Sequence, residues 1–106
     1  MLHSLVKYIL SMALFSKKDM IFNDYSWSAN QSIDNPKITG RPDNTLFNRH
    51  EGYEVLYLIN KLAELWSKRT ITECQKMEKM IRYYLPSDVR SQINVQTWIS
   101  INWSKY

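Results

Sequence analysis

Glycine is scarce in this chain, with only Gly40 and Gly52 among 106 residues. An all-β protein needs many tight turns with positive φ, so the scarcity favours helices joined by short loops. Cysteine is scarcer still. Cys74 stands alone, which rules out an internal disulfide, gives no argument for an oxidising compartment, and makes the cytoplasm the expected location. Long apolar runs are missing too: MLHSLVKYILSMALF is interrupted by Lys7, lacks a small-x-small cleavage site and is too short to span a bilayer. No membrane-spanning segment or secretory leader is therefore expected. Strong charge of one sign is also lacking. The formal charge of +4 divides into +1 for residues 1–47 (five basic, four acidic) and +3 for 48–106 (nine basic, six acidic), and neither half is a dense cationic arm.

A composition of 44% hydrophobic and 23% charged residues lies well inside the range of chains that fold, and the length suits one domain with one core. At the N-terminus, Leu2, Leu5, Val6, Ile9 and Ala13 fall on one face with helical period, while His3, Ser4, Lys7, Tyr8 and Ser11 lie mostly opposite. This amphipathic helix would cover its own core or dock on a partner helix or membrane surface, since such faces look alike in sequence. From Ser16 to Thr45 the period is lost. Asn, Asp, Ser and Pro are dense there, only Ile21, Phe22, Tyr25 and Trp27 hint at a short extended piece, and Pro36, Gly40 and Pro42 favour turns. A connection this long either wraps the core with its aromatics or orders on a partner.

Three helices are predicted from residue 48 onward. Asn48 with Glu51 reads as a capping box for a helix with Val55, Leu56, Ile59, Leu62, Ala63 and Trp66 on one face; Tyr53, Leu58 and Leu65 widen that face, as in a helix contacted from two sides. Thr70 with Glu73 starts the next, whose buried face is predicted as Cys74, Met77, Met80, Ile81, Tyr84 and Leu85. Lys76, Lys79 and Arg82 fall outside, with Glu78 and Arg82 as an i,i+4 surface pair, and Leu85-Pro86 ends the helix. Ser87 or Ser91 caps a last helix carrying Val89, Ile93, Val95, Trp98, Ile99 and Trp103. The expected fold class is all-α: a small helical single domain over 1–106, with an N-terminal amphipathic helix (1–16), a long irregular connection (17–47) and a three-helix C-terminal unit (48–106).

The residues that carry chemistry do not assemble into a catalytic or metal motif. Arg49-His50-Glu51 begins like a zinc motif, but Glu54 stands where H-E-x-x-H needs its second histidine. Cys74 has no basic neighbour to activate it, and no Gly-rich run with G-K-[ST] is present. A non-enzyme without cofactor or metal is expected.

Two binding classes remain. Four tryptophans and seven tyrosines are the residue types that dominate protein interfaces, which points to a protein-binding module, an adaptor or inhibitor on a larger protein complex, with Tyr25, Trp27, Arg82, Arg90, Trp98 and Trp103 as candidate contacts. The alternative is a nucleic-acid binder with a helix-turn-helix-like C-terminal unit. Lys68, Arg69, Lys76, Lys79, Arg82 and Arg90 would meet phosphates, and Gln92, Asn94 and Gln96 would meet base edges. Against the alternative, QINVQTWISINWSKY holds no charge before Lys105. Self-association through the first helix or this tail fits either class. In style and composition, ITGRPDNTLFNRHEGYEVLYLINKL and YYLPSDVRSQINVQTWISINW resemble small accessory proteins of bacteriophages and mobile elements, a likeness that singles out no residue and favours a host-directed inhibitor.

Overall fold

The computed structural model describes residues 14–28, 45–68 and 70–106. They are mostly helical and contain no sheet, the all-α class that the sequence predicts. Helix α1 is Gly52–Leu65, α2 is Ile71–Lys79 and α3 is Gln92–Asn102. A π-helical turn, Met80–Tyr84, continues α2, and a 3-10 turn, Trp103–Lys105, continues α3. Of the amphipathic helix expected over 1–16, residues 1–13 lie outside the described residues, as do Pro36, Gly40 and Pro42 of the connection; Ser16 is already extended and opens a 3-10 turn, Lys17–Asp19. Among the described residues, no helix is long and apolar enough to cross a membrane.

The helix ends follow from local chemistry. Thr70 caps α2, accepting from the Glu73 N–H at 3.1 Å while its hydroxyl donates to the Glu73 carboxylate at 3.0 Å. Ser91, rather than Ser87, caps α3 by accepting from the Asn94 N–H. Helix α1 starts three residues later than an Asn48 cap would place it. Asn48 Oδ1 accepts from the His50 N–H in a turn ahead of the helix, and the N-cap is Glu51, in extended backbone. The reason is non-local: Ser26 pairs there, donating its N–H to the His50 carbonyl at 2.8 Å and accepting the Gly52 N–H at 2.7 Å. At its other end α1 closes through Ser67 in the left-handed region (φ 55°), with the Lys68 N–H returning to the Ala63 carbonyl.

The core lies between the three helices: Val55, Leu58, Ile59 and Leu62 from α1, Cys74, Met77, Met80, Ile81 and Leu85 from α2 and its π turn, Val95 and Ile99 from α3. Tyr84, predicted to be buried, is instead exposed. In the π turn the Leu85 N–H bonds to the Met80 carbonyl five residues back. Leu85 therefore sits above Met80, and Tyr84 is rotated off the buried face.

Residues 14–28 form a strap across α1 and α2, so this part of the connection wraps the protein's own core. Asn60 clamps one end, accepting the Phe15 N–H at 3.0 Å and donating to the Phe15 carbonyl at 2.7 Å. Gln75 donates to the Asp19 carbonyl. The expected Glu78–Arg82 surface pair does not form. Glu78 is fully buried, and its carboxylate accepts the N–H groups of Ile21 (2.8 Å) and Phe22 (3.2 Å) and the Tyr25 hydroxyl (2.8 Å). Desolvating a carboxylate costs several kcal/mol, and hydrogen bonds to a charged group return about 1.5–3 kcal/mol each, so three such bonds let the charge stay inside. Arg82 turns instead to Asp24, with two nitrogens on two oxygens at 2.7 and 3.2 Å, and lies over Phe22.

Candidate binding surface

Five aromatic rings run together across the surface where the π turn meets the C-terminal turn. Phe22 on the strap meets Tyr83 edge-on at 5.4 Å, Tyr83 meets Tyr84 at 6.1 Å, Tyr84 stacks on Tyr106 at 4.0 Å, and Tyr106 lies over Trp98 at 6.2 Å. Tyr83, Tyr84 and Tyr106 remain 63%, 48% and 42% exposed, far too open for core residues. Their hydroxyls meet no hydrogen-bond partner among the described residues. The π turn creates this arrangement, because it presents two successive tyrosines to solvent at the end of a helix whose preceding turns are buried. Cations border the rings: Lys79 is exposed one helical turn before Tyr83, and Lys105 Nζ is 5.5 Å from the Tyr106 ring.

The candidate contacts from sequence are dispersed. Trp98 belongs to the ring face. Trp103 is half-buried, with Lys76 Nζ at 4.2 Å and Lys68 Nζ at 5.1 Å over its ring, and Lys68 also pairs with Glu73. Tyr25 is buried against Glu78; burial, reinforced by that hydrogen bond, raises its pKa well above the ordinary phenol range. Trp27 lies over Gly52, edge-on to Tyr53 at 4.9 Å, with Lys17 Nζ 4.3 Å from its ring. Arg82 is engaged by Asp24, whose carboxyl it holds below the usual range, chiefly through their hydrogen bonds.

Of the phosphate contacts in the nucleic-acid reading, Lys68 and Lys76 meet over the Trp103 ring with Lys79 in the same last turn of α2 as Lys76, Arg82 is taken by Asp24, and Arg90 lies apart before α3. Gln92 is buried and cannot present its amide to a base edge; Gln96 is half-buried and Asn94 exposed. Arg69 lies outside the described residues. Sequence reasoning missed Tyr83, Tyr84 and Tyr106. Hydrophobic spacing does not single them out, since adjacent helical residues can both enter the core, as Met80 and Ile81 do.

A separate cleft of about 230 Å³ lies between the turn before α1 and the segment before α3, lined by Phe47, Arg49, His50, Ser87, Val89 and Arg90. Its walls are fixed by backbone pairing, with Phe47 N–H on the Arg90 carbonyl at 2.7 Å and Gln92 N–H on the Thr45 carbonyl at 2.9 Å. Arg49 ties them to the end of the π turn, donating to the carbonyls of Ile81, Leu85 and Pro86 at 3.3, 2.7 and 2.9 Å. Partial burial lowers its pKa slightly from the ordinary guanidinium value without touching its charge at neutral pH.

Cys74 is fully buried, and burial, with smaller contributions from Glu73 and Asp19, pushes its thiol up to about 11. Such a thiol is neutral at physiological pH. Among the described residues no group of three or more His, Cys, Asp or Glu side chains is placed to hold a metal ion. Compared with protein-family models, curated proteins and solved structures, the chain matches none.

Proposed function

We propose that this chain is a non-enzymatic protein-binding module, an adaptor or inhibitor, that docks through its ring face on an acidic surface of a larger protein. The observation that carries the reading is the row Tyr83–Tyr84–Tyr106–Trp98, whose three tyrosines are exposed and whose hydroxyls meet no hydrogen-bond partner among the described residues. Tyrosine and tryptophan bury much area at little entropic cost and dominate interface energetics. Charge supports an acidic partner: Lys79 and Lys105, both exposed, border the rings, while Arg82 beside them is already paired with Asp24. The burial of Gln92 and the pairing of Arg82 with Asp24 weigh against a recognition helix, although rings flanked by lysines also suit unpaired bases.

Affinity purification from the native host, with and without nuclease, separates these classes. The expected result is a stoichiometric protein that survives nuclease and is lost when Tyr83→Ala and Tyr84→Ala are combined, each truncation costing about 2 kcal/mol if it is a hot spot. A catch abolished by nuclease, or one indifferent to the double variant, would overturn the assignment.

A further inference from the structure

The cleft beside α1 is chemically unlike the ring face. Its lining contains two arginines, a histidine and a serine hydroxyl over the apolar Phe47 and Val89, and no carboxylate. Three cations elsewhere are neutralised internally: Lys61 pairs with Glu64, Lys68 with Glu73, Arg82 with Asp24. The side chains of Arg90 and His50, both exposed, have no hydrogen-bond or ion-pair partner among the described residues. His50 does feel Asp24 electrostatically, but that carboxylate is taken by both Arg82 nitrogens. Asp88 sits in the neighbouring turn without lining the cleft.

We propose that this cleft binds an oxyanion, a phosphate or carboxylate group, through the free donors of Arg90, His50 and Ser87, with Arg49 as a fixed positive charge. A guanidinium facing an oxyanion makes the short, charge-assisted bonds that such groups favour, and imidazole and hydroxyl donors add to them. Preorganisation is already present. Arg49 cannot swing away, since its fork is spent on three backbone carbonyls, and the pairing of 45–47 with 90–92 holds His50 and Arg90 on opposite walls of one small space. The ligand thus meets a fixed charge and three donors that lose no hydrogen bond to the described residues on binding.

The test uses the full chain and inorganic phosphate, read by amide chemical shifts. Saturable shifts confined to residues 47–50 and 87–90 are expected, with a dissociation constant in the millimolar range suited to a small ion. Arg90→Gln should weaken binding about tenfold. His50→Gln should also weaken it, whereas Lys79→Gln, on the other face, should leave it unchanged. A parallel titration with acetate separates the sources: saturation by phosphate alone assigns a phosphate ester, and equal saturation by acetate assigns a carboxylate. Shifts that grow linearly without saturating, that spread over the Lys76–Lys79 surface, or that persist unweakened in Arg90→Gln would overturn the site.

Discussion

Replacing Gly52 by alanine sets helix propensity against packing. In the first turn of α1, propensity alone predicts a gain of up to about 1 kcal/mol, because glycine is the costlier residue in a helix. The structure predicts a loss. A Cβ on Gly52 would stand 2.5 Å from Cζ2 and 2.6 Å from Cε2 and Cη2 of Trp27. Carbon contacts settle near 3.5–4.0 Å, so the indole must retreat by about 1 Å. It has little room, being edge-on to Tyr53 at 4.9 Å and Tyr25 at 6.1 Å, with Lys17 over its face. Overpacking of this kind costs about 1–3 kcal/mol, which leaves a net loss of up to about 2 kcal/mol once the full propensity gain is subtracted. In a domain of this size that lowers Tm by up to roughly 10 °C. Thermal and urea unfolding followed by far-UV circular dichroism measure it, and Trp27→Ala supplies the cycle: in that background Gly52→Ala should become neutral or stabilising. A raised Tm in the parent protein, or an undiminished loss without the indole, would refute the packing argument.

Two further changes probe the interior. Glu78→Gln replaces one of the two acceptor oxygens by an NH2 facing donors, so a loss of about 3 kcal/mol or more is expected in urea unfolding, against about 0.5 kcal/mol or less for Glu64→Gln on the exposed side of α1; comparable losses for the two would sink the buried-charge account. The raised Cys74 thiol keeps its proton in the folded chain while the unfolded chain releases it near 9.0, so stability should hold below pH 9.0 and fall as pH rises toward about 11. Parallel pH curves for the parent and Cys74→Ala, or rapid native labelling by a thiol reagent at pH 8, would contradict this.

The helices were legible wherever the information was local. Thr70 with Glu73 and Ser91 before α3 mark true helix starts, and the apolar period of α1 placed Val55, Ile59, Leu62 and Ala63 in the core. The start of α1 was obscured because Asn48 fits a cap, while the pairing that delays the helix comes from Ser26, 25 residues before Glu51. Glu78 was the instructive miss. Its spacing to Arg82 suggests a surface pair, yet Cys74, Glu78, Ile81 and Leu85 follow the i, i+4, i+7, i+11 stripe of a buried face. Charge outweighed periodicity in the reading, and the donors that make its burial possible lie on the strap. The ring face depends on the π turn, which capping patterns and hydrophobic spacing do not announce.

The buried Glu78 also bears on how the chain comes to fold. Its donors Ile21 and Phe22 precede it by 57 and 56 residues, so they leave the ribosome long before the acid they bind. Until the second helix follows, the strap can close only on α1, and until the strap closes over it, that second helix carries a carboxylate on its apolar face without its donors. Contacts of such long sequence separation slow folding relative to bundles built from neighbouring helices. Helix content should therefore rise early, with tertiary structure following in one later step as strap and acid meet.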